Sequence, residues 1–263
     1  MKKNILFEVN EAGIATLTLN MPETRNAITR DDILAELIAL CQEIAKNNAI
    51  RVLIVTGAGE GFSSGGNVFD MKNKEGMFAG DAFEVSQHYR NGIQHFIQLF
   101  YHLEVPVISA INGAAVGAGL DFALAADLRI ASSKARFGST FVNLGIIPGD
   151  GGAWFLPRII GAQRAAELIL TGKIISAQEA LALGMVLEVV EPEALMPKAY
   201  ALAEKIAAKS AKATRLAKRL LRLGNTMELP HFLETTAIYQ GYLHQTAEHE
   251  AALNAFLNQT QKK

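Results

Sequence analysis

Apolar and polar positions alternate in ILFEVN and again in IATLTLN, with Glu11-Ala12-Gly13 between them, so a β-hairpin is predicted near the start. Past Pro22 the period changes. Leu34, Leu37, Ile38, Cys41 and Ile44 recur at helical spacing, and Thr29 with Asp32 makes a capping-box-like start for that helix. RVLIVTG then reads as a strand buried on both faces, because it is short, apolar and rich in β-branched residues. A glycine-rich loop, GEGFSSGGNVFDM, follows it directly.

The order strand, glycine loop, helix then recurs. A helix is predicted over roughly 82–102, then VPVISAING as strand, AAVGAG as loop, LDFALAAD as helix and LRIAS as strand. A further round begins at ARFGST, passes the turn IPGDGG and ends in a helix around GAQRAAELIL. Ser176 and Glu179 box-cap a short helix before the strand GMVLEVV. From about Glu191 no strand-like run appears and helical periodicity dominates, so the pattern predicts an α/β core followed by a helical appendage. Lys205, Lys209, Lys212, Arg215, Lys218, Arg219 and Arg222 form a basic stretch there, which is expected to be a solvated helix face, with contact to phosphates as the alternative.

Composition narrows the picture. The chain has 263 residues, half of them hydrophobic, enough for a sizeable core. Twenty-five Lys and Arg against 26 Asp and Glu leave a net charge of -1, so no general attraction to nucleic acid or acidic membranes is expected. The single cysteine, Cys41, reads as a small core residue in a reducing compartment. MKKNILFEVNEAG lacks the apolar stretch of a signal peptide, and the apolar region 105–126 is broken by Pro106, Asn112, glycines and Asp121. The expectation is a soluble cytoplasmic protein. His88, His95, His102, His231, His244 and His249 show no metal-ligand clustering with Asp or Glu, and no metal site is expected.

The glycine loops carry the candidate chemistry. GAGEGF begins like G-x-G-x-x-G but ends in Phe62, and no G-x-x-x-x-G-K-[ST] occurs, so a nucleotide-binding loop is not supported. The other use of such loops is to expose backbone N–H groups to an oxyanion, because glycine lets a ligand approach the main chain closely. The second loop, VGAG, also opens a helix, whose positive end favours an anion.

Four segments in order, FSSGGNVFDM, PVISAINGAAVGAGLDFALAADLRIA, ARFGSTFVNLGIIPGDGG and GKIISAQEALALGMVLEVV, resemble the successive blocks of the enoyl-CoA hydratase/isomerase (crotonase) family. The resemblance implies a crotonase (ClpP-like) spiral of strand-strand-helix units over residues 1–195 and a helical trimerisation region over 196–263. It also implies a homotrimer or a hexamer built as a dimer of trimers. The implied substrate is an acyl-CoA thioester, with coenzyme A as part of the substrate and no separate cofactor. The implied oxyanion hole is the pair of backbone amides at Gly66 and Ala118. The CoA side of the site falls near Arg25, Ala27 and Ser64, and Asn67 and Phe141 complete the implied substrate contacts.

The acids depart from the family pattern. The two glutamates that hold water in the family's hydratases fall on Asp121 and Phe141, and phenylalanine cannot move a proton. Relatives that shift double bonds also use an aspartate at the first position. Asp150, in IPGDGG, is the second candidate acid, one residue beyond the place, Gly149, where some isomerase and dehalogenase relatives carry one. Phe141, with Phe137 and Trp154, is expected to line an apolar acyl chamber. The leading expectation is an enoyl-CoA hydratase-like lyase. A double-bond isomerase and a non-catalytic acyl-CoA binder are the alternatives.

Overall fold

The predicted hairpin forms in the computed structural model, which describes residues 3–260. Strand β1 (Ile5–Val9) pairs antiparallel with β2 (Ile14–Leu19), Ile5 standing opposite Leu19. Helix α1 (Asp31–Lys46) follows, burying Leu34, Leu37, Cys41 and Ile44 as its pattern requires. Thr29 does not cap it: the cap position is Arg30, without a side-chain hydrogen bond, and the Thr29 hydroxyl accepts from the Asn67 amide at 3.2 Å.

Strand β3 (Val52–Gly57) is buried along both faces, and its side chains divide by alternation. Leu53 and Val55 point into a core shared with α1, and Val52 and Ile54 into a second core on the opposite face. After it come β4 (Gly61–Ser63) and α2 (Val68–Asn73). The helix predicted over 82–102 is two helices, α3 (Ala82–Asn91) and α4 (Ile93–Tyr101). They break at Gly92, where φ is -98° and ψ -105°, and where a Cβ would stand 2.7 Å from the His88 carbonyl oxygen.

The next round is β5 (Val107–Ile111), β6 (Ala114–Val116), α5 (Ala118–Ala125) and β7 (Leu128–Ser132). The segment AAVGAG, expected to be loop, thus opens with a short strand. Strand β8 (Arg136–Gly138) leads through the IPGDGG turn to α6 (Gly152–Ile160), a helix the pattern does not reveal, and then to α7 (Ala162–Thr171). Strand β9 (Ile174–Ser176), helix α8 (Ala177–Ala182) with the expected Ser176–Glu179 capping box, and β10 (Glu188–Val190) complete the sheets. Helices α9 (Leu195–Ala207), α10 (Ala211–Leu223), α11 (Leu229–His244) and α12 (Ala247–Thr260) end the chain.

The strands form two sheets, β1-β2-β3-β5-β7-β10 and β4-β6-β8-β9. The three central rounds, opening with β3, β5 and β7, each give one strand to the first sheet, one short strand to the second, and then a helix, whereas the opening hairpin gives both its strands to the first sheet. This is the strand-strand-helix spiral expected of the sequence. Helix α9 covers the second core with Leu195, Ala199 and Ala203. Among the described residues no helix is long and apolar enough to cross a membrane.

The basic stretch is not simply solvated. Lys205, Lys209, Lys212 and Arg219 are exposed, but Lys218 is 5% exposed and pairs with Asp127 at 2.7 Å while donating to the Val105 carbonyl. Arg222 takes the other Asp127 oxygen at 2.8 Å, and Arg215 donates to the Ile50 carbonyl. Spacings of three and four place Arg215, Lys218 and Arg222 on one helix face, and that face is the one against the body.

Candidate active site

Parallel pairing of β4 with β6 brings the two glycine loops side by side at the ends of those strands. Contact between them is backbone to backbone. Gly65 has φ +75°, and a Cβ there would stand 2.6 Å from the Ala118 amide nitrogen and 2.8 Å from the Val116 carbonyl oxygen. Only glycine serves at that position.

The first loop is fixed from the other flank by residues 25–28. Ser64 N–H donates to the Arg25 carbonyl, Ile28 N–H donates to the Gly65 carbonyl, and Ala27 bridges Gly65. Ser63 Oγ donates to the Asn26 carbonyl and accepts from Gly65 N–H. Asn26, fully buried at φ 55°, completes the clamp. Its Nδ2 donates to the Ala58 and Gly61 carbonyls, and its Oδ1 accepts from Met21 N–H. Sequence reasoning missed Asn26, although asparagine's tolerance of the left-handed conformation was a usable signal.

Two amides are left over. Neither Gly66 N–H nor Ala118 N–H has a hydrogen-bond partner among the described residues. Ala118 is also the first residue of α5, after Gly117 at φ 54°, so its amide belongs to the positive end of that helix. Around them, Arg25 is exposed, Ala27 is 2% exposed, and the half-buried Ser64 donates to the Thr24 carbonyl at 3.3 Å. Asn67 caps α2, its Oδ1 accepting from Phe69 N–H. Phe141, 8% exposed, brings its ring tip to 3.9 Å from the Cβ position of Gly117.

Asp121 lies one turn into α5 and is fully buried. Its Oδ2 accepts from Gly152 N–H at 2.8 Å, and its Oδ1 has no partner. A Cβ at Gly152 would collide with this carboxyl group, which explains the last glycine of GDGG. Asp150, 4% exposed, likewise has an unpartnered Oδ1. The turn that carries it is held by Gln94, whose Nε2 donates to the Gly149 carbonyl at 2.8 Å, and by the Tyr89 ring against Gly149. Neither Gln94 nor Tyr89 was legible as a site residue, since the Gln94 contact joins positions 55 apart with a backbone atom as its target.

The Asp150 carboxyl group acts on that of Asp121. Burial raises Asp121 well above the usual carboxylate range, and the Asp150 charge raises it further, while the Gly152 amide pulls the other way. Burial pushes Asp150 up to about 7. A carboxyl group raised to about 7 can take up and release a proton near neutrality.

A cavity of about 700 Å³ opens beside Asp150, between α4, α6 and α10. Gln94, Tyr101, Phe155, Lys218 and Arg222 are among its walls, whereas Gly66, Ala118 and Asp121 are not. Trp154 also lines it, but Phe141 does not, and Phe137, fully buried, belongs to the main core. Among the described residues no group of three or more His, Cys, Asp and Glu side chains could hold a metal ion.

This spiral, with paired glycine loops over buried acids, is that of enzymes that process acyl-CoA. Residues 9–263 match the family model described as enoyl-CoA hydratase/isomerase, and the chain belongs to that family. It is similar to the crotonyl-CoA hydratase of Syntrophomonas wolfei subsp. wolfei, at 34% identity over 97% of this chain and 95% of that protein. The 1,2-epoxyphenylacetyl-CoA isomerase of Escherichia coli K12 is 35% identical over 98% of this chain and 96% of its own length. An enoyl-CoA hydratase structure from Bacillus anthracis superposes with a TM-score of 0.91 at 35% identity, covering 98% of this chain and 97% of that one. The chain is therefore a hydratase-like, acyl-CoA-processing enzyme whose substrate is a CoA thioester.

Proposed function

We propose that the chain hydrates an enoyl-CoA whose thioester oxygen lies between Gly66 N–H and Ala118 N–H, with Asp150 exchanging the proton. One observation carries this reading: two neighbouring buried carboxyl groups, Asp121 and Asp150, each keep one oxygen without a protein partner. Such a pair can position a water molecule between them. Water oxygen then bonds to the β-carbon, its proton passes to the Asp150 carboxylate, and the electron pair of the double bond moves onto the thioester oxygen. The two amides stabilise that enolate. Return of a proton to the α-carbon completes the addition. Asp121, tied to Gly152 and raised by burial, serves as the hydrogen-bonding partner of the pair.

In this reading Arg25, Ala27 and Ser64 border the CoA side, Asn67 is a further substrate contact, and Phe141 stands by the thioester beside Gly117. Coenzyme A enters only as part of the substrate, and the enzyme is cytoplasmic. Phe141 favours a second reading, double-bond isomerisation, in which one aspartate carries the α-proton to the γ-carbon without any water. Hydration of crotonyl-CoA measured beside isomerisation of a 3-enoyl-CoA separates the two. Hydration is expected, and isomerisation without hydration overturns the first reading.

A homotrimer, alone or doubled into a hexamer, goes with this function. Helices α11 and α12 leave Leu229 at 65%, Ile238 at 70% and Tyr242 at 53% exposure, with Leu233 and Leu253 also exposed, more apolar surface than a monomer keeps. Sedimentation equilibrium is expected to give a trimeric or hexameric mass, and a monomeric mass at micromolar protein would refute the assembly.

A further inference from the structure

The cavity beside Asp150 has two chemically different ends. At one stands Asp150, raised by burial with no cation near enough to offset the rise. At the other, Lys218 and Arg222 reach from α10 and share a single carboxylate, Asp127, at 2.7 and 2.8 Å. A shelf of rings joins the ends. Phe155 packs against Gly151, Tyr101 lies 5.5 Å from Phe155 between centroids, and the Arg222 guanidinium sits 3.4 Å over Tyr101.

Charge at the basic end does not close. Lys218 is 5% exposed and the Arg222 side chain 17%, two cations facing one anion, whereas the neighbouring Arg219 is matched by Glu104. Arg222 places one terminal nitrogen on Asp127, and its Nε has no partner. Desolvation pushes the Lys218 ammonium down to about 8 although Asp127 pulls the other way, and the Arg222 charge adds to the fall. A buried surplus cation is costly until a counter-charge is supplied. The cavity, at about 700 Å³, has the volume of a site for a sizeable organic group.

We propose that this cavity receives the acyl group and that the acyl group carries a carboxylate at its far end, paired with Arg222, while its apolar body lies on the Phe155–Tyr101 shelf. The proposal rests on the reading of a CoA thioester held at Gly66 and Ala118 with its reacting carbons at Asp150. A plain fatty acyl tail leaves the surplus cation unmatched. The monothioester of a dicarboxylic acid matches it.

Calorimetric titration of the full chain at pH 7 with two saturated thioesters, suberoyl-CoA and octanoyl-CoA, tests this without turnover. Suberoyl-CoA is expected to bind about tenfold or more tighter, the scale of one charge-assisted pair. The preference is expected to vanish in Arg222→Met and to survive in Arg222→Lys. If Arg222→Met does not fold, the comparison in the unaltered protein decides alone. Equal or tighter binding of octanoyl-CoA overturns the carboxylate proposal and leaves the thioester reading standing. Failure of both esters and of free CoA to bind overturns both.

Discussion

Asp150→Asn is expected to lower kcat on the preferred enoyl-CoA by about 10²–10⁴-fold, the usual range for loss of a general acid or base, while a saturated thioester still binds. The same substitution has a signature in stability. Asp150 titrates at about 7 in the fold against an ordinary value of 3.8, so the folded state binds more protons than the unfolded state between those pH values. Stability must therefore fall as pH rises from about 4 to about 7 and level off above, by at most about 4 kcal/mol from this group. Asparagine removes that part of the fall. Urea unfolding at fixed protein concentration should show Asp150→Asn gaining on the unaltered protein as pH is raised from 4 to 8. In parallel, kcat/KM of the unaltered enzyme should climb through pH 7 as the carboxylate forms, and the variant should lack the climb. Full turnover by Asp150→Asn would remove Asp150 from the chemistry.

Gly66→Pro is expected to cost roughly 10²–10³-fold in kcat, about 3 kcal/mol, because proline deletes the amide hydrogen proposed to meet the thioester oxygen. Gly66 is not among the residues at positive φ, so its backbone does not itself demand glycine. A Cβ there meets only the end of the Met71 side chain closely, and that end can swing away. Gly66→Ala presents the same crowding with the amide kept, and is the matched control. Ala active and Pro inactive, both with the circular dichroism of the unaltered protein, is the expected outcome. Equal activity in the two variants would sink the assignment of this amide.

What the sequence showed and hid follows from the kind of interaction involved. The glycine loops were legible because their demand is on backbone, and only one residue type meets it: Gly65 cannot carry a Cβ against Ala118. The hairpin and β3 were legible because alternation and β-branching report burial directly. Strand β6 was not, since three small residues, Ala-Ala-Val, have no period to read. Helix α6 was hidden by its own composition, with glycine at its start and Pro157 inside it. Asp150 was readable as an acid, but its burial and its influence on Asp121 exist only once α5 and α6 meet. For the same reason the basic stretch looked solvated. Nothing local distinguishes the face of α10 that finds Asp127 from the face that meets water.

Asp127 therefore links parts of the molecule with different histories open to them. One of its oxygens also accepts from Val107 N–H, at the head of a central strand, while both oxygens hold the helix that walls the cavity. That helix, α10, gives no strand to either sheet, and α11 and α12 after it contribute no residue to the cavity. With the acyl group placed in this cavity as proposed, substrate choice can drift through changes in α10 while the proposed reacting centre stays as it is. A lineage could acquire new acyl groups by reshaping α10, with no renegotiation of Gly66, Ala118 or the acid pair.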